Sequence, residues 1–236
     1  MALPKLNDAP QYTMQVPSTG KTVKYRPFLV KEQKILLIAL ESQDDKQILD
    51  SVVNTIASCC EMDCHTDTLT TFDIEWMFIQ IRSVSVGETS KLMLPCTNCD
   101  GRTEHTIKLK DITLDLPEDP IRIIKINDKF SIQMRYPKYG AILMSPEESG
   151  QNLADVMYDM IILCMDYLIT DDERIKFDEE PRESIEEFMD QMEPSQFELM
   201  MDFVQNLPTL QHKVDFECQH CKTQNHLMLE GVKDFF

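Results

Sequence analysis

The sequence predicts an α+β protein, with helical N-terminal and C-terminal segments around a small β region that carries a split pair of cysteine knuckles. Three observations lead there. Apolar residues recur with a helical period over 31–86 and 153–207. They alternate with a strand period over 92–136 and 214–229, and Cys96/Cys99 and Cys218/Cys221 sit inside those alternating stretches. Hydrophobic residues make up 42% and aromatics 8% of 236 residues, enough for a real core, which excludes wholesale disorder.

Taken in order, residues 1–24 read as an extended arm. Pro4, Pro10 and Pro17 punctuate it, Ser18-Thr19-Gly20-Lys21 is a turn, and Thr22–Tyr25 alternates like a strand. That strand is the candidate for pairing with the sheet edge of another protein, in which case deleting residues 1–24 should abolish association and leave a folded protein; a tail packed on its own domain is the alternative. Residues 31–41 are helical, and Arg26 and Phe28 before them read as an internal ion pair and a core contact. A second helix over 45–60 carries the stripe Ile48, Leu49, Val52, Val53, Ile56 and Ala57. A third begins at Thr70, whose hydroxyl caps it with Asp73 three residues on. It is apolar on nearly every face and therefore buried. Gly87 breaks it, and Arg82 with Glu88 reads as an internal ion pair or core contact.

Strands follow. IRIIKI-NDK-FSIQMRY reads as a hairpin turning at Asn127-Asp128. After Pro137 the helical period returns, with Leu153, Val156, Met157, Met160, Ile161, Cys164 and Leu168 in one stripe. Helices over 182–192 and 194–207 come next, and strands around 214–216 and 227–229 close the chain. The expected organisation is an arm and helical bundle (1–87), a β region with the first knuckle (88–145), a helical segment (146–208), and a second knuckle returning to the β region (209–236).

Charge narrows the function. Lys and Arg number 23 against 41 Asp and Glu, a formal charge of −18. Such a surface repels phosphate backbones and anionic membranes, so neither nucleic acid nor membrane is an expected partner. No apolar run is long enough to span a bilayer, and residues 1–10 lack the apolar stretch of a secretory signal. A reducing cytoplasm is the expected setting, where thiols stay free.

That setting turns the cysteines toward metal. LMLPC-TN-CDGRTEHTIKL and VDFEC-QH-CKTQNHLML share a plan: a short alternating strand, C-x-x-C, a polar turn, another alternating strand. One pair cannot close a tetrahedral site, but two knuckles face to face supply four thiolates, as in a zinc ribbon. Cys96, Cys99, Cys218 and Cys221 are the expected ligands of a structural zinc. A domain inserted between the halves accounts for their separation, because loop-closure cost grows only logarithmically with length. His105 and His226, which follow the knuckles, could each replace a sulfur, although solvated strand positions fit them better. Paired buried thiols without metal, and a redox-active pair, are the alternatives. The CCEMDCH run, with Cys60, Cys64 and His65, has no partner cluster and reads as packed thiols at a helix end.

Other features read as structural. The acidic stretch 171–187 reads as a solvated face, and Met189, Met192, Met200 and Met201 fall on core-facing stripes. P-loop, dinucleotide, H-E-x-x-H and Ser/His/Asp motifs are absent, so no enzyme activity is expected.

YRPFLVKEQKILLIALES from Tyr25 and TFDIEWMFIQIRSVSVGE from Thr71 resemble the core motifs of the T4-type phage baseplate hub family. MALPKLNDAP, SIQMRYP, PSQFELMMDFVQNLPTLQH and the ending LEGVKDFF are similar to members of it in the same order, so the resemblance spans nearly the whole chain. It implies a late viral protein of the baseplate hub of a contractile tail, or of its assembly pathway, present in the host cytoplasm during assembly or in the virion baseplate. It implies other hub or tail proteins as partners and supplies no catalytic residues. Two roles follow: a structural protein retained in the tail, or a transient chaperone that holds hub segments and leaves. A host-directed redox or metalloenzyme is a third, disfavoured because four-thiolate zinc has no open coordination position.

Overall fold

A computed structural model describes residues 10–61, 66–117, 122–144 and 153–235. The chain divides into two units, Met1–Asp115 with Thr209–Phe236, and Leu116–Pro208. Both mix helices with small antiparallel sheets, as expected of an α+β chain.

In the first unit β1 (Tyr12–Gln15) and β2 (Thr22–Tyr25) form a hairpin. Helices α1 (Val30–Ser42) and α2 (Asp45–Cys59) follow, and β3 (Cys60–Glu61) returns to pair with β2 on the side away from β1. The expectation for the arm needs correction here. β2 is the middle strand of the sheet, with Lys24 and Tyr25 paired on both sides, so it is no free edge. Met14, Val16, Val23 and Tyr25 are buried, and Ser18 donates from its N–H and hydroxyl to the Asp73 carboxylate at 2.8 and 2.6 Å. Deleting residues 1–24 would therefore strip part of a core as well as any docking segment. Residues 1–9 lie outside the described residues.

Local capping explains the helix starts. Glu32 accepts from the Leu29 N–H at 2.8 Å and pairs with Arg26 at 3.1 Å, which neutralises a carboxylate buried in the first turn of α1. Arg26 also donates to the Ser58 carbonyl, so its role is an internal ion pair. Asp44 caps α2 through the N–H groups of Lys46 and Gln47. Helix α3 (Thr71–Val86) opens on the expected reciprocal pair: the Asp73 N–H donates to Thr70 Oγ1 at 3.2 Å, and the Thr70 N–H to Asp73 at 3.0 Å. Phe72, Ile74, Met77, Phe78, Ile79 and Ile81 are all buried, as its lack of a polar face requires. Gly87, at φ 127, takes the chain into β4 (Thr89–Pro95), β5 (Arg102–Lys108) and β6 (Thr113–Leu114).

The second unit carries β7 (Arg122–Lys125), β8 (Ser131–Met134), α4 (Tyr139–Met144), α5 (Leu153–Cys164), β9 (Met165–Ile169), β10 (Arg174–Lys176), α6 (Arg182–Met189) and α7 (Pro194–Gln205). Its sheet runs β10-β9-β8-β7, antiparallel throughout. The β7–β8 hairpin turns where expected, with Asn127 Oδ1 accepting from Lys129 and Phe130. Ile124, Ile132, Met134, Ile161, Met165, Ile185, Met189, Met200 and Phe203 share one core, and Met192 and Met201 pack against it. The methionines therefore serve packing.

The apolar stripe expected to run helically to Leu168 stops at Cys164. The Arg135 N–H takes the Cys164 carbonyl at 2.8 Å, and the chain continues as a strand between β8 and β10. Tyr167, Leu168 and Ile169 favour a pleated, half-buried surface, and two neighbouring strands outweigh the helical spacing there. Arg135 and Arg182 bind Asp178, Asp166, Asp159 and Glu186, so part of the acidic stretch is neutralised within its own unit.

The chain then returns to the first unit as β11 (Leu210–Glu217) and β12 (Gln224–Glu230), in a sheet ordered β12-β11-β6. No helix among the described residues is long and apolar enough to cross a membrane.

Candidate metal centre

The site is built by two hairpins. β4 pairs with β5 from Thr89↔Lys108 to Pro95↔Arg102, and β11 with β12 from Gln211↔Glu230 to Glu217↔Gln224. Each places a C-x-x-C turn at its tip, closed in the same way: Cys96 N–H to the Gly101 carbonyl at 3.0 Å, and Cys218 N–H to the Thr223 carbonyl at 2.9 Å. Alternation sends Leu92, Leu94 and Ile107 from one hairpin, and Val214, Phe216 and Leu229 from the other, into a shared core with Ile79 of α3. Burying those faces brings the tips together.

At the tips the sulfurs of Cys96, Cys99, Cys218 and Cys221 all lie within 4.8 Å of one another. Cys96 Sγ is 3.6 Å from Cys221 Sγ, and Cys99 Sγ is 3.8 Å from Cys218 Sγ. Four thiolates around one tetrahedral ion at ~2.3 Å per bond stand about 3.8 Å apart, so the donor set is close to what one metal ion requires. A disulfide would need about 2 Å, so these are not bonded pairs.

The electrostatics agree. The Gly101 N–H pulls the Cys99 thiol down, yet hydrogen bonding with the sulfurs of Cys221, Cys218 and Cys96 pushes it up to about 12. The Thr223 hydroxyl and N–H bring Cys221 down to about 5. The N–H groups of Cys221 and His220 hold Cys218 below its usual value. Sulfurs this close cannot all carry charge unaided, and a cation among them would remove the conflict. The other thiols behave differently. Burial pushes Cys59 up to about 11 and Cys60 and Cys164 up to about 12, the signature of packed, uncharged groups. Cys64 and His65 lie outside the described residues.

Several supporting residues were not foreseen. Asn225, buried, accepts from the Thr97 N–H and hydroxyl at 2.8 Å each. Thr103, also buried, accepts from the Gln219 N–H at 3.1 Å. Thr103 and Asn225 each stand four residues after the second cysteine of their knuckle. The bracing is thus reciprocal: each knuckle's side chain holds the turn of the other. A signal existed, since both polar residues occupy strand positions whose neighbours two or four residues away face inward. Gly101 is required by close approach. A Cβ there would stand 2.5 Å from the His220 ring and 3.2 Å from Cys99 Sγ.

His105 and His226 are not equivalent, as the spacing suggested. His105 lies six residues after Cys99 and His226 five after Cys221, a shift that sends them to opposite faces. His105 tilts against Phe216, and His226 is exposed and bonded to Asp215 at 2.6 Å. Among the described residues the four cysteines are the group placed to hold an ion.

No curated protein and no solved structure matches the chain. One family model, described as T4 bacteriophage base plate protein, matches residues 9–236. With that match running from β1 through both knuckles and the inserted unit, the chain belongs to the T4 bacteriophage base plate protein family.

Proposed function

We propose that the chain is a component of the baseplate hub of a contractile phage tail, acting through protein–protein contacts and not as an enzyme. The observation that carries this is the family match over residues 9–236, joined to the hub-type motifs at Tyr25 and Thr71. The cysteine site, on this reading, is a structural zinc ribbon split by insertion of the second unit. Cys96, Cys99, Cys218 and Cys221 would hold zinc, and four sulfurs leave no open position for a substrate. Its partners are other hub or tail proteins, and the net charge of −18 keeps the chain soluble until it meets them.

Mass spectrometry of purified virions tests the hub assignment. Stoichiometric presence in isolated baseplates, together with hub subunits, is the expected result. A transient assembly chaperone is the second reading, favoured by the same charge. Abundance in infected-cell lysate with none in virions would select it over a retained subunit.

A further inference from the structure

We propose that α1 is a self-association surface, through which two copies of this chain pair antiparallel about a two-fold axis. Helix α1 buries one face, Glu32, Leu36 and Ala39, against its own unit. On a surface helix the opposite face should be polar. Here Val30 is 80% exposed, Ile35 53%, Leu37 53% and Ile38 56%. No other helix among the described residues shows this: α3, α5 and α7 expose one large apolar residue each, Val86, Val156 and Leu199. Four exposed large apolar side chains within three turns mark a surface covered in the working assembly.

Charge identifies the occupant. Along the outward face Lys31 and Lys34 occupy the first half, while Glu41 lies in the last turn and Asp44 just beyond it. An antiparallel second copy sets Lys34 opposite Glu41 of that copy. That pairing puts the two-fold axis between Leu37 and Ile38, so the apolar residues meet at the centre. Because the contact is isologous, the ion pair occurs twice. A face that is basic at one end, acidic at the other and apolar between complements itself, which a site for an unrelated protein need not do. Lys31 already reaches Glu32 at 3.2 Å, but its side chain is 71% exposed and free to swing.

Shape adds to this. Ile35, Ile38 and Ala39 form one wall of a groove of about 320 Å³, and Gln47, Asp50 and Ser51 of α2 form the other. A partner helix lying on the outward face borders that groove in both copies. The helix is about 20 Å long, so a single helix pair sits at the low end of interface sizes and a reversible association is expected. The chain's excess negative charge does not forbid pairing, since charges beyond ~8–10 Å are screened at physiological salt.

Sedimentation equilibrium of the full chain over a concentration series is the test. A reversible monomer–dimer equilibrium is expected for the wild type. Leu37→Glu should leave a monomer with unchanged circular dichroism, because Leu37 is half exposed and belongs to neither buried core. Lys34→Glu and Glu41→Lys should each weaken the dimer roughly tenfold or more, and the double variant should restore it. A wild-type chain monomeric at its highest soluble concentration would overturn the proposal, as would a dimer indifferent to Leu37→Glu. A double variant no better than the singles would also overturn it. So would a monomer that binds a different tail protein through α1.

Discussion

The two units reach stability by different routes. The second is a continuous apolar core over a four-stranded sheet, with Ile132, Met134, Ile161 and Met165 fully buried and ion pairs at its margin that stay partly exposed. The first buries polar groups as well. Asp73 is 0% exposed and ties the arm to α3, Glu32 is buried under α1, and Asn225 braces one knuckle against the other. An apolar core tolerates exchange of one greasy side chain for another, whereas a buried polar network fails when a single partner is lost. The first unit should thus be the more specific structure and the more fragile one.

Each prediction sets one unit against the other. The sole tryptophan, Trp76, packs beside the knuckle core, so its fluorescence follows the first unit alone. If the four cysteines hold zinc as proposed, the largest effect is expected from removing it. Structural zinc contributes about 10–16 kcal/mol in small peptides. Cys218→Ser, or a strong chelator, should therefore abolish about one zinc per chain and lower the Trp76 transition steeply. Hydrogen exchange in β8 and β9 should stay protected. Unchanged Trp76 melting after zinc loss would contradict this.

Second in size is Ile132→Ala, which opens a cavity in the second unit at a cost of about 2–5 kcal/mol. Exchange in β8 and β9 should accelerate while Trp76 emission and metal content hold. Third is Asn225→Ala, which leaves the Thr97 N–H without its partner and costs about 1–3 kcal/mol. Its chemical denaturation midpoint by Trp76 fluorescence should fall, with zinc affinity weakened alongside.

Smallest is a pH effect of definite sign. Burial raises the Glu32 pKa, but the Leu29 N–H and the Arg26 and Lys31 side chains outweigh it and leave it below 4.5. A lowered folded pKa stabilises fully above the ordinary value, and the gain is lost as pH falls through the folded value. Acid titration below about pH 4.5 should weaken the first unit, and Glu32→Gln should flatten that slope. Asp178, held low by its hydrogen bond from Arg135, has the same sign in the second unit. Asp178→Asn should flatten only the acid response of β9 exchange. Equal responses of both units to either variant would break the contrast.

Much of the first unit was legible because its signals are local. The Thr70/Asp73 cap, the all-round apolar α3 and the matched C-x-x-C turns each declare themselves within a few residues. The four sulfurs were legible as a set because both knuckles share a pattern. What escaped was set by distance in sequence. The middle position of Thr22–Tyr25 depends on β3, about 36 residues on, and the strand Met165–Ile169 depends on neighbours at Ser131 and Arg174. The reciprocal Thr103 and Asn225 braces needed the two hairpins to be seen together.

The split between the hairpins also imposes an order on synthesis. Cys99 precedes Cys218 by 119 residues, and the whole second unit is made between them. At about 5–20 residues per second the first hairpin waits roughly 6–24 s for its mate. During that wait the inner faces of Leu92, Leu94 and Ile107 have nothing from β11 or β12 to cover them, while the second unit already has its complete sequence. The two cysteine tips can therefore join only after the second unit has been synthesised.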